Sequence, residues 1–308
     1  MSAIDTSLRF GCIGYGEVGR ILSRAIREQG AAWVGAWDIL FPDGGQGPAM
    51  KARAGEADVE PCDSSSRLLE RADIVISAVT AANTLAAARE AAEWIRPETF
   101  FLDVNSASPG VKKECATLID GAGAHYIEAG VMASVLPHGV KVPMVIGGQA
   151  AADLAEKLVP YGFSMEVVSP EVGVASAIKM CRSVIIKGME AILIESFTAA
   201  RRHGVETQVL ASLKDSFPGL DWERQGTYFF SRVVKHGRRR AEEMREAAKA
   251  VQEAGFDPWM ASATAEKQDW MAKLAAQGTF AGLTAESDWR DYADRILGSE
   301  ALKMKGPA

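Results

Sequence analysis

The feature that most narrows what this chain can fold into is a glycine spacing. Gly14-Tyr15-Gly16-Glu17-Val18-Gly19 follows a short apolar run at residues 8–13 and opens a helical pattern of Val18, Ile21, Leu22, Ala25 and Ile26. In such a strand–turn–helix the first glycine permits the tight turn. The second lets backbone approach a diphosphate, and the third lets helix and strand pack closely. The freed N–H groups and the positive end of the helix then face the phosphates. A second apolar run, residues 32–37, ends in Asp38, 19 residues past Gly19. A carboxylate there accepts from a ribose 2′-hydroxyl and repels a 2′-phosphate, so NAD is the expected cofactor. NADP stays open, because Lys51 or Arg53 could fold back toward a phosphate. The plain alternative is a strand–turn–helix that binds no nucleotide.

Apolar runs recur at residues 74–79, 100–104, 126–131 and 144–146, separated by helical patterns and by turn residues such as Pro97, Pro109-Gly110 and Gly147-Gly148. That alternation predicts an α/β fold, with a Rossmann-like doubly wound parallel sheet over residues 1–168. From residue 169 to 308 no convincing strand appears, and the expectation is an all-α C-terminal domain for substrate and dimerisation. Ser169 is the expected N-cap of a long helix, with Pro170 in its first turn. Arg201, Arg202 and His203 precede Gly204, which suits a left-handed stop. These signals bracket about 34 residues, roughly 50 Å of helix. Its middle, residues 184–194, reads as apolar nearly all round, so burial between other elements is expected. Further helices are expected over 222–254, stopped by Gly255, and over 258–276.

Composition narrows the function. The 308 residues carry a net charge of −6 with no basic block, which argues against a nucleic-acid partner. No run approaches the roughly 18 apolar residues of a membrane span, and residues 1–10 lack the pattern of a signal peptide. Cys12, Cys62, Cys115 and Cys181 stand far apart with no paired spacing. They read as reduced thiols of a cytoplasmic protein, without a disulfide frame or a metal site. A small molecule is the expected partner.

Two further constellations carry chemistry. Asp103-Val104-Asn105-Ser106-Ala107-Ser108-Pro109 follows a strand's carboxyl end, where such sheets bind ligands. Asn105, Ser106 and Ser108 could hydrogen-bond a carboxylate or sugar hydroxyl; a helix cap before Pro109 is the competing reading. On the long helix Arg182, Ser183, Lys187 and Glu190 lie at about −60°, +40°, +80° and +20° from Lys179, a polar seam on an apolar rod. A desolvated lysine shifts toward useful acid–base work; a solvent-facing edge with a Lys–Glu pair is the alternative. Farther on, His236 and Arg239 stand three apart in the run 236–244, within reach of an anion. That run, with acids and bases interleaved, also reads as a solvated helix face.

The glycine loop, the Asp-x-Asn-Ser-x-Ser-Pro run and the lysine-bearing helix resemble, over roughly residues 8–200, the β-hydroxyacid dehydrogenases. These include 3-hydroxyisobutyrate dehydrogenase, tartronate semialdehyde reductase and the related 6-phosphogluconate dehydrogenases. The resemblance makes Lys179 the catalytic lysine and implies hydride exchange with a small hydroxy acid or sugar acid. Asn105 and Ser106 occupy the places of a substrate-contacting Ser-Thr pair. In the run Glu128-Ala129-Gly130-Val131-Met132-Ala133-Ser134, Met132 and Ala133 replace members of the family's Ser-Gly-Gly element, whose backbone helps to hold the substrate carboxylate. Ser183 stands where the first helix asparagine is found, and Val184 where the second is. The tail resembles a poorly assigned subgroup with its own C-terminal domain. The expected cofactor contacts are Gly14, Tyr15, Gly16, Glu17, Val18, Gly19, Asp38, Val79, Thr80 and Ser106. The expected substrate contacts are Asn105, Ser106, Met132, Ala133, Ser183 and His236. Imine reductases share the expected architecture but usually lack the helix lysine, and a 6-phosphogluconate dehydrogenase is longer and carries a different lysine motif. A dinucleotide-binding protein without catalysis is the remaining alternative. A homodimer packed through the apolar helices is expected.

Overall fold

Period-two side-chain alternation explains the sheet. In the computed structural model, which describes residues 4–284 and 286–299, the apolar strand residues divide cleanly between two cores. Ile74, Ile76, Leu102, Ile127 and Ala129 face one core, and Val75, Phe101 and Tyr126 face the other. Strands buried on both faces need helices on both sides, which is the doubly wound arrangement.

The first unit, up to Met180, contains β1 (Arg9–Ile13), α1 (Glu17–Glu28), β2 (Trp33–Trp37), α2 (Gly47–Glu56), β3 (Glu60–Pro61), α3 (Ser65–Leu69), β4 (Ile74–Ser77), α4 (Thr84–Ala92), β5 (Phe100–Asp103), α5 (Pro109–Gly121), β6 (His125–Val131), β7 (Pro143–Gly147), α6 (Ala151–Leu158) and β8 (Ser164–Ser169). The strand order is β3-β2-β1-β4-β5-β6-β7-β8. The first six strands run parallel. β7 is antiparallel to β6 and parallel to β8. Leu22 and Ile26 of α1 and Leu154 and Leu158 of α6 cover one face. Leu68 of α3, Ala88 of α4 and Ile119 of α5 cover the other.

Next come α7 (Val174–His203), α8 (Glu206–Ser216), α9 (Trp222–Glu253), α10 (Trp259–Ala276) and α11 (Trp289–Gly298). The division into two units falls inside α7, after Met180. Phe197, Phe230, Met271 and Trp289 center the core of the second unit, where all described elements are helices. No described helix is long and apolar enough to cross a membrane.

Two expectations need correction. α7 begins at Val174 rather than at the residues after Ser169, because Ser169 ends β8 and a turn intervenes. Its amide groups are taken up by Glu128, not by a local serine. The helix is not buried all round. Ile185 is 65% and Ile192 53% exposed in the single chain, and Ile178 and Ile186 are also exposed. The alternative reading of the polar seam, a solvent-facing edge, does not hold, because Lys187 and Glu190 are both buried. Gly204 and Gly255 do stop α7 and α9 in left-handed conformations, with φ of 70° and 86°.

Candidate active site at the carboxyl edge of the sheet

Six parallel strands bring their carboxyl ends to one edge, and the unit's candidate residues follow that edge in spatial order. Asp38 stands after β2, the glycine loop after β1, Val79 and Thr80 after β4, Asn105 and Ser106 after β5, and Met132 and Ala133 after β6. Chain order reverses between β1 and β4, and ligands of such sheets bind at that switch point.

The glycine loop fits a dinucleotide diphosphate. Gly14 has φ of 89°, and a Cβ there would lie 2.5 Å from the Ala78 carbonyl oxygen. A Cβ at Gly19 would lie 2.0 Å from the Gly14 carbonyl oxygen, so only glycine lets α1 start this close to the turn. Gly16 is exposed, and a Cβ there would meet open space. Among the described residues no side chain caps α1, which leaves its first N–H groups for an anion. Glu17 is exposed and Val18 half-buried in that first turn. The Tyr15 ring is buried, and burial pushes its phenol up to about 12. The neighbouring Cys12 thiol is likewise pushed up to about 12 by burial, an inert packing group.

Asp38 fixes the loop. Its carboxylate accepts from the Tyr15 amide at 2.7 Å and from the Leu40 amide at 2.9 Å, while the Gly14 amide donates to the Trp37 carbonyl at 2.8 Å. A carboxylate offers about four acceptor positions, so two remain for a ribose hydroxyl.

The end of β5 is braced from within. The buried Asp103 carboxylate accepts from the Lys112 ammonium at 2.8 Å, the Tyr126 hydroxyl at 2.7 Å and the Asn105 amide at 2.9 Å. Lys112 also donates to the Asp103 carbonyl at 3.0 Å. Burial, followed by the Asp103 charge, holds the Tyr126 phenol well above its ordinary pKa, so the hydroxyl stays a donor. Asn105 commits its own amide to the protein. Its oxygen accepts from the Val79 N–H at 2.7 Å and its nitrogen donates to Ser77 Oγ at 3.0 Å. It ties the loop after β4 to the loop after β5. Ser108 caps α5 with Pro109 in the first turn, which is the capping alternative of the sequence reading. Ser106 is half-buried, Val79 half-buried and Thr80 exposed.

Beyond β6, Met132 is half-buried and Ala133 exposed. Lys179 is half-buried in the second turn of α7, and its Cβ would lie 3.3 Å from a Cβ built on Gly130 near the end of β6. The second unit holds the rest of the polar seam. Lys187 donates to Ser183 Oγ at 3.1 Å and pairs with Glu243 of α9 at 3.0 Å. Glu190 pairs with Arg240 of α9 and accepts from Gln268 of α10 at 3.2 Å. His236 is half-buried on α9 and Arg239 exposed. Lys187 and Glu190 thus belong to the packing of the second unit, and Ser183 is bonded to it.

Sequence reasoning missed Lys112, Tyr126 and the use made of Glu128. Lys112 left a signal: it occupies the core-facing position of α5 in step with Cys115, Ala116 and Ile119. The four cysteines are free thiols, three buried and Cys181 exposed. Among the described residues no group of three or more His, Cys, Asp or Glu could hold a metal ion.

Residues 9–159 match the family described as the NAD binding domain of 6-phosphogluconate dehydrogenase, and residues 200–271 match a domain of unknown function (DUF1932). A solved conserved hypothetical protein from Sinorhizobium meliloti 1021 is 36% identical, with a TM-score of 0.76 over 95% of this chain and 96% of that one. A second, a conserved protein of unknown function described as structurally similar to 3-hydroxyacid dehydrogenases, is 33% identical. Its TM-score is 0.68, over 88% of this chain and 99% of that one. Mitochondrial 3-hydroxyisobutyrate dehydrogenase of Mus musculus is 24% identical over 233 residues, which is 74% of this chain and 67% of that protein.

Proposed function

Because this chain belongs to the β-hydroxyacid dehydrogenase family, with an NAD-binding domain like that of 6-phosphogluconate dehydrogenase, we propose that it exchanges hydride between a nicotinamide dinucleotide and a small hydroxy acid or sugar acid. Bound nicotinamide supplies or accepts the hydride. The backbone of residues 14–19 holds the diphosphate, and the fixed Asp38 carboxylate selects NAD by accepting from the ribose. Lys179 moves the proton: its neutral amine takes it from the substrate hydroxyl in oxidation. In reduction its ammonium returns the proton and stabilises negative charge growing on that oxygen. Ser106, Met132 and Ala133 contact the substrate at the edge. Asn105 serves that group through its brace between Val79 and Ser77.

The observation that carries this reading is the carboxyl edge itself. An uncapped helix start beside a glycine turn, a carboxylate fixed after β2 and a lysine beside the end of β6 lie in one unit. The test is a screen of 3-hydroxyisobutyrate, related hydroxy acids and sugar acids with NAD and with NADP, following reduced nicotinamide. Lys179→Ala should lower kcat by about 10²–10⁴-fold while NADH still binds. Wild-type turnover in that variant would remove the assigned role.

Association through α7 is part of the proposal. Ile178, Ile185 and Ile192 recur every seven residues and are exposed on one stripe of the helix, which suits an isologous pair. Sedimentation at low concentration should give a dimer; a clean monomer would contradict it.

A further inference from the structure

β6 and β7 build a seat for the start of α7 from one carboxylate and two glycines. Glu128 is fully buried. Among the described residues, its hydrogen-bond partners are backbone amides: Gly173 at 2.7 Å and Ala175 at 2.9 Å on Oε1, and Ser176 at 3.2 Å on Oε2. A buried carboxylate costs free energy unless donors surround it. Three N–H groups and the positive end of a 30-residue helix meet that need. Ordinary caps come from the residue just before the helix. This one comes from a strand 45 to 48 residues earlier, so it fixes the place of the helix on the sheet as well as its first turn.

The glycines make the close approach feasible. Gly147 lies opposite Glu128 in the β6–β7 register, and a Cβ there would stand 3.1 Å from Glu128 Oε1. A Cβ on Gly130 would stand 2.8 Å from Val145 Cγ2, 3.0 Å from the Ala175 carbonyl oxygen and 3.3 Å from Lys179 Cβ. Sliding α7 along the sheet breaks the three amide bonds, and shifting it inward drives its first two turns into strand backbone. Lys179 is the sixth residue of the helix, about 7.5 Å along the axis from its first. We propose that Glu128 is a positioning residue, which with Gly130 and Gly147 sets where the amine of Lys179 stands. The proposal rests on the reading of Lys179 as proton carrier. It gives the family-divergent run at 128–134 a role distinct from touching substrate, and misplacement of a reacting group by about 1 Å can cost about 10²-fold in rate.

The test reads the amine directly, in the full chain, by trace acylation with isotopic acetic anhydride and mass spectrometry of each lysine. Exposed Lys214 is the reference, and buried Lys112 reports general loosening of the first unit. Glu128→Ala removes the acceptor of all three amides. It should raise Lys179 acylation about tenfold, with Lys112 still protected and NADH affinity within about twofold. Glu128→Gln keeps an accepting oxygen for Gly173 and Ala175 but turns an NH2 toward the Ser176 amide, so its rise should be smaller. If Glu128→Ala does not fold, Glu128→Gln and Gly130→Ala decide by the same measurement. A wild-type rate at Lys179 in the folded variants, or a rise at Lys112 in step with it, overturns the proposal. The two readings fail separately. Unchanged labelling ends the seat and leaves the proton role standing. Full turnover in Lys179→Ala ends the proton role and leaves the seat standing.

Discussion

Buried polar groups are used differently in the two units. At the carboxyl edge of the sheet, half-buried Asp38 and buried Asn105 and Glu128 direct their oxygens mainly at backbone N–H groups of loops and helix starts. Asp103 there also takes side-chain donors, from Lys112 and Tyr126. In the helical unit Glu190, Arg240, Gln268, Lys187 and Glu243 bond mainly to one another. The cause is where each architecture leaves backbone unsatisfied. Strand ends and helix starts expose N–H groups that need acceptors, whereas the interior of a long helix satisfies its own. Carboxylates at the edge therefore shape loops for a ligand. Charges between helices instead fix which turn of one helix faces which turn of another.

The largest effect should come from the helical unit. Arg240→Ala leaves the Glu190 carboxylate buried with Gln268 as its remaining partner among the described residues, and should cost about 3–5 kcal/mol in denaturant unfolding. Replacing Glu190 and Arg240 together by leucines should recover most of that loss. A small cost for Arg240→Ala alone would break the contrast. At the edge, Asn105→Ala frees the Val79 N–H and Ser77 hydroxyl, for about 1–3 kcal/mol of stability. The contrast is sharpened if this variant also weakens NADH binding in a fluorescence titration while Arg240→Ala, once folded, does not.

Asp38→Asn should keep an accepting oxygen for the Tyr15 amide, turn an NH2 toward the Leu40 amide, and lose the charge that repels a 2′-phosphate. The NADH-to-NADPH affinity ratio should then fall about tenfold. An unchanged ratio would leave Asp38 a purely structural clamp. The smallest effect is acid sensitivity. The Arg290 guanidinium holds the Glu223 carboxyl below its usual range, with the Trp289 indole as a second donor. A carboxyl with a depressed folded pKa stabilises above its unfolded pKa, and that stability is lost as pH falls through the folded value. Because the pair is half exposed, Glu223→Gln should cost within about 1 kcal/mol at pH 7 and less at a pH below the usual carboxyl range. An equal cost at both values would remove the charge as its source.

Much of the first unit was legible because its signals are local. The glycine loop and the strand runs each lie within a few residues of the structure they specify, as do the stops at Gly204 and Gly255 in the second unit. The order of candidate residues along the edge then follows from parallel strands. The polar seam on α7 was legible as a seam and illegible as a role. Periodicity put Lys187 and Glu190 near Lys179 in angle, while Glu243, Arg240 and Gln268 lie 50 or more residues away in sequence. The same holds for Ile185 and Ile192, apolar in sequence and exposed in the single chain.

Chain order and residue type alone thus determined a dinucleotide-type turn, a two-faced sheet and a lysine on the helix that follows. Only the tertiary structure decided that Glu128 and two glycines hold the start of that helix, and that the neighbouring charges turn into helix packing. A hydrogen-bond partner 45 or more residues distant leaves no periodic trace, because its position depends on strand order and register rather than on spacing along the chain.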